Sequence, residues 1–180
     1  TYNWQVNRAV DYTRNASRFG RAMRGLKGEA GTSLYDAIYL AAQDIADRDG
    51  RHVLIVVTDG GDTVSAKDFH AAMQAAHAAD AVLYPIVTIP IRNDAGRNTG
   101  GENALTTMSR TTGGRLFAPG IEGLDLVFSE ILRELRTQYL IGYYPKNVPP
   151  TKERFHRIDV KMTEPGLRVV SRTGYYGDSE

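Results

Sequence analysis

The 180-residue sequence contains no cysteine, which excludes disulfides, thiolate metal sites and cysteine nucleophiles. Long apolar runs are also missing: none approaches the roughly 18–20 residues of a membrane-spanning helix. Charge of one sign is not in excess. The 22 Lys and Arg nearly balance the 21 Asp and Glu, for a net charge of +1, so no bulk attraction toward nucleic acid or anionic lipid is expected. The phosphate-cradling and dinucleotide-binding glycine patterns are absent, as is the Gly-x-Ser-x-Gly nucleophile elbow. Together these absences argue against an enzyme. The four histidines lack metal-ligand spacing and read as solvent-facing. There is no initiator methionine and no signal peptide, which leads to the expectation of a piece of a longer or processed product.

What is present is organised. His52–Thr58 (HVLIVVT) and Ala81–Thr88 (AVLYPIVT) are short, nearly continuous apolar runs rich in β-branched residues, the pattern of strands buried on both faces. Pro85 lacks an N–H and points to a weak or edge position for the second. Gly114–Ala118 is a third, shorter candidate. Helical stripes separate them: Phe19, Met23 and Leu26; Leu34, Ile38, Ala42 and Ile45; Phe69, Met73 and Ala76; Leu105 and Met108; and Leu124, Val127, Phe128, Ile131 and Leu135. Gly113-Gly114 should end the fourth helix. Strands alternating with helices predict a parallel α/β sheet over residues 1–137.

The pattern changes after Thr137. Tyr139–Tyr144, Arg157–Met162 and Leu167–Arg172 alternate like half-exposed strands, predicting an antiparallel β extension over 138–180 that is too small to stand alone. The tail holds five of the ten tyrosines, read as packing residues.

Two motifs carry chemistry. Gly31-Thr32-Ser33-Leu34-Tyr35-Asp36 opens a helix, and Val57-Thr58-Asp59-Gly60-Gly61-Asp62 ends a buried strand in an acidic, glycine-rich loop. In parallel α/β sheets ligands bind beyond the carboxyl ends of the strands. A hydroxyl and a carboxylate converging there suit a hard cation with oxygen ligands.

In these motifs, their order and their spacing of about 27 residues, the chain resembles the von Willebrand factor type A (VWA) family, with a tail like that of a bacterial group of related proteins. The resemblance implies a three-layer, Rossmann-like sandwich with a mostly parallel sheet. It also implies a metal-ion-dependent adhesion site, with Thr32 and Asp59 as ligands of Mg²⁺ or Mn²⁺ and Ser33, Asp36 and Asp62 as supporting groups. The function implied is protein binding or adhesion, a partner completing the coordination shell with a carboxylate. The family's Asp-x-Ser-x-Ser loop, first strand, first helix and second strand have no counterpart here. A missing amino-terminal segment of the same domain is therefore expected to complete the sheet. The expected setting is extracellular or periplasmic.

Plainer readings stand beside these. Ser33 with Asp36, and Ser65 with Asp68, have the Ser-x-x-Asp spacing of a helix capping box. Asp62 reads more readily as a solvated turn residue than as a supporting group. A metal-free assembly module is the alternative function, and a fragment of a phosphoryl-transfer enzyme, with Asp59 as its aspartate, is a third. The polar loop between Pro90 and Glu102 should leave the same rim, where Arg92, Asn93, Asp94 and Arg97 would meet an acidic partner.

Overall fold

The computed structural model describes residues 1–59, 61–88, 99–119, 121–146 and 154–177. The element order is α1 (Ala16–Arg24), α2 (Leu34–Ile45), β1 (Val53–Thr58), α3 (Phe69–Ala78), β2 (Val82–Val87), α4 (Thr99–Thr112), a 3₁₀ turn (Ile121–Gly123), α5 (Leu124–Thr137), β3 (Phe155–Arg157) and β4 (Gly174–Tyr176). The chain is a mixed α/β protein, with one parallel and one antiparallel strand pair among the described residues.

β1 and β2 pair in parallel, Val53 opposite Val82 through Thr58 opposite Val87, with α3 as the crossover. The predicted strand at Gly114–Ala118 shrinks to one parallel bridge between Ile86 and Phe117. Phe117 N–H donates to the Pro85 carbonyl and Val87 N–H donates to the Phe117 carbonyl, both at 2.8 Å. Pro85 is therefore interior rather than at an edge, and it is fully buried. Its missing N–H falls on the Phe117 side, where the bridge uses only its carbonyl, so the proline leaves no ladder bond broken. One residue pair earlier, Leu83 N–H finds the Thr112 hydroxyl at 3.1 Å, and α4 thus substitutes for a strand neighbour.

Alternation along β2 divides the core. Leu83 and Val87 pack with Leu34, Ile38, Ala42, Leu54, Ala72, Leu105 and Met108 of the α2–α4 side. Tyr84 and Ile86 pack with Phe117, Val127 and Ile131 on the α5 side. Helices on both faces are what near-continuous apolar strands require.

β1 has β2 on one side and no second strand partner among the described residues. Beside that edge Ile55 and Val57 are 40% and 46% exposed, although their neighbours Leu54 and Thr58 are buried. On α5, Glu130 and Glu134 bind Arg115 on the Phe117 side, and Arg51, just before β1, donates to the Leu135 carbonyl. Phe128 and Leu132 lie on the opposite flank from the two glutamates by helical periodicity, and both are exposed.

α1 forms where the sequence places it, capped by the Asn15 side chain on Ser17 N–H at 3.0 Å, but it buries no residue. α4 ends at Gly113, whose φ of +86° suits glycine. α3 ends differently: Asp80 takes a left-handed φ of +53°, and Ala81 N–H reaches back to the Ala76 carbonyl at 2.9 Å.

The tail departs from expectation. Tyr139–Tyr144 forms no strand, and Tyr139, Leu140 and Tyr144 are more than 90% exposed, so these tyrosines are not packing residues. Leu167–Arg172 is likewise outside any strand. The observed pair is β3 with β4, antiparallel, Phe155 opposite Tyr176. It lies against the ends of α3 and α4: Thr173 N–H donates to the Thr111 carbonyl at 2.9 Å, and a Cβ on Gly113 would sit 2.9 Å from Arg172 N. Alternation alone could not choose this register, because docking to the helix ends decides it.

Candidate functional site

The two sequence motifs meet at the carboxyl end of β1. Gly31 turns the chain with φ +88° against Val64 and Trp4. Thr32 N–H then donates to the Thr63 hydroxyl at 2.8 Å, and the Thr32 carbonyl accepts from Thr63 N–H at 2.9 Å. The loop after Asp59 is thereby joined to the loop that opens α2.

Two carboxylates hold this junction. Asp62 accepts from Tyr35 N–H at 3.2 Å, from Ser65 N–H at 3.3 Å and from the Ser65 hydroxyl. Asp36 accepts from Ala66 and Lys67 N–H at 2.9 and 2.8 Å. The sequence reading of Asp62 as a solvated turn residue is corrected, since its carboxylate ties the second loop to the first turn of α2. The Ser33–Asp36 capping box does not form either: Ser33 makes no side-chain cap bond, because Asp36 is drawn to the opposing loop. Ser65 is not the cap of α3. Asp68 is, accepting from Ala71 N–H at 2.8 Å, while Ser65 accepts from Asp36 N–H at 3.0 Å.

Thr32 and Asp59 differ from these neighbours. Neither the Thr32 hydroxyl nor the Asp59 carboxylate makes a hydrogen bond or ion pair among the described residues, and Asp59 is exposed. Ser33 is 1% exposed and its hydroxyl is buried without a partner, a group that costs free energy unless something fills its need. Tyr2 donates to the Val57 carbonyl at 2.7 Å beside the rim. Burial first, and the negative charge of Asp59 as a smaller contribution, push its phenol upward, against a hydrogen bond with Thr58 that pulls it down. Burial and then Asp62 likewise raise the Tyr35 phenol. Among the described residues no three His, Asp or Glu side chains gather as a metal-binding group. A cation here would rest on one carboxylate, hydroxyls and groups from elsewhere.

Arg92, Asn93, Asp94 and Arg97 lie outside the described residues. The end of that predicted loop, Thr99–Gly101, belongs to α4. The expectation that all four histidines face solvent fails for two of them: His77 and His156 are only 6% and 7% exposed. Their cover comes from pairing between distant segments that no local pattern announces.

No family model matches the chain, and no curated protein matches it. Among solved structures the chain is similar to an uncharacterized membrane spanning protein from Vibrio fischeri, at 21% identity over 69% of this chain and 68% of that chain, with a TM-score of 0.39. The expectation of an extracellular or periplasmic setting does not stand as a finding; no described helix here is long and apolar enough to cross a membrane. No compartment is assigned.

Proposed function

We propose that this chain is part of a VWA-type protein-binding module that uses a divalent cation, Mg²⁺ or Mn²⁺, at the rim beyond β1. Thr32 and Asp59 are its ligands from this chain, and a carboxylate of the bound protein completes the shell. The observation that carries the reading is the division of labour among the rim's polar groups. Asp36 and Asp62 are spent on backbone N–H groups, whereas the Thr32 hydroxyl and Asp59 carboxylate are uncommitted among the described residues. The buried, unpartnered Ser33 hydroxyl is within the same loop and suits a water held by the cation. With one carboxylate from this chain, the site needs further oxygen ligands from another segment.

The same reading gives that segment a place. In a three-layer sandwich a further parallel strand would pair with β1, and its side chains would cover Ile55, Val57, Phe128 and Leu132. The amino-terminal portion of the domain would supply it, and residues 138–180 would be an extension outside the sandwich. The chain is read as a binding module, not an enzyme. Arg92 and Arg97 would meet the partner's acidic group.

The exposed apolar flank of β1 and α5 favours a second reading, a metal-free assembly module in which that flank is the contact. Titrating Mg²⁺ or Mn²⁺ into the intact protein separates the two. Cation-dependent stabilisation that Asp59→Ala removes supports the first, and indifference to both cations supports the second.

A further inference from the structure

We propose that the β3–β4 pair is a pH-released cover, docked at neutral pH on the carboxyl-terminal ends of α3 and α4 with His77 in the seam, and let go on acidification. The seam is built from both sides. His77, in the last turn of α3, meets the Phe155 ring with centroids 5.4 Å apart and the Tyr176 ring at 6.1 Å, both edge-on. Phe155 and Tyr176 are register partners and also pack on each other at 5.0 Å. Gly174 allows the pair to close so tightly: a Cβ there would collide with the His156 carbonyl and the Phe155 ring. Arg172 anchors the same segment by an ion pair to Asp80, directly after α3, and Thr173 N–H is bound to Thr111 at the end of α4.

The charged groups around the seam do not welcome a second cation. On the α3 side Asp80 is the neighbouring acid, and Arg172 already occupies it. On the tail side Arg157 alternates onto the Phe155 face of β3 and Arg110 precedes Thr111 on α4, but Arg172 is the cation that bears on His77. His156 and Tyr175 stack at 5.1 Å on the opposite face of the strand pair. The α3 carboxyl terminus by itself favours a positive His77, but enclosure dominates. Burial first, and then the Arg172 charge, hold the His77 imidazole below its ordinary value of 6.5. The sign follows. The released tail leaves His77 free to take up a proton at its ordinary value, whereas the docked tail resists it. Docking is therefore at full strength above about pH 6.5 and weakens as pH falls toward the depressed docked value. A single linked proton changes the release equilibrium by about tenfold per pH unit across that window.

Hydrogen exchange on the intact protein from pH 7.5 to pH 5, corrected for intrinsic rates, tests this. The amides of Ile158, Thr173 and Gly177, bonded to Thr173, Thr111 and Arg154 carbonyls, should lose protection progressively on acidification, by no more than about tenfold per pH unit. Those of Leu83 and Val87 in β2 should keep theirs. His77→Gln should flatten the acid loss, and His156→Gln should not. If His77→Gln fails to dock at pH 7.5, His77→Phe, which keeps a ring against Phe155 and Tyr176, takes its place with the same expectation. Tail protection unchanged down to pH 5 overturns the proposal. So does an unaltered acid loss in the His77 variant that docks, abolition of the loss by His156→Gln, or simultaneous loss in tail and β2.

Discussion

Replacing Asp62 with alanine removes the carboxylate that binds Tyr35 N–H, Ser65 N–H and the Ser65 hydroxyl, and leaves no other group in its place. A hydrogen bond to a charged group contributes about 1.5–3 kcal/mol, and leaving a buried donor unsatisfied costs about 1–3 kcal/mol. The site is only part-buried, so water can replace some of these bonds and the three do not add in full. A net loss of about 2 kcal/mol is expected, which in a protein of this size lowers Tm by roughly 4–8 °C. Asp62→Asn keeps an acceptor without the charge and should recover about half of the loss. The assay is thermal unfolding in chelator, so that no cation contributes, with Asp59→Ala beside it. Asp59 holds no described backbone group, and its replacement should stay within about 0.5 kcal/mol of the parent. Equal destabilisation by Asp59→Ala and Asp62→Ala, or none from Asp62→Ala, would refute the division between loop-holding and uncommitted carboxylates.

Other consequences are equally direct. A Cβ at Gly114 would strike the Leu83 carbonyl, so Gly114→Ala should cost more than about 2 kcal/mol by denaturant unfolding. Ile131→Ala empties a fully buried position between α5 and β2 and should cost about 2–5 kcal/mol by the same measure. Tyr84 is pushed up to about 12, by burial first and then by the Glu134 charge. The unfolded chain releases that proton from about pH 10 upward, so stability should fall between pH 10 and 12, and Tyr84→Phe should remove that part of the fall in an alkaline unfolding series.

The parts of the fold legible in the sequence are those decided locally. The stripe Leu124–Leu135 is the α5 helix, and the β-branched runs at 53–58 and 82–87 are β1 and β2, because periodicity reports which side of an element meets apolar cover. Pro85 misled because a missing N–H matters only on the side that needs a donor. The tail misled more. Alternation over Tyr139–Tyr144 and Arg157–Met162 fits many strand registers, and the observed pairing of Phe155 with Tyr176 spans 21 residues and depends on docking against His77 and Thr111. In the site, the meeting of the 31–36 and 59–67 loops was legible from their motifs. The roles of Asp36, Asp62 and Ser65 were not, since a Ser-x-x-Asp spacing cannot tell a local cap from a carboxylate that reaches another loop.

The measurement that bears most directly on the central claim is the thermal stability of the intact protein against Mg²⁺ and Mn²⁺ concentration, for the parent and for Asp59→Ala. At a free cation concentration near one hundred times Kd, the parent should gain about 2.7 kcal/mol, and Asp59→Ala should gain nothing. Stabilisation of the same size in both proteins, or none in the parent, would contradict a cation site built on Thr32 and Asp59.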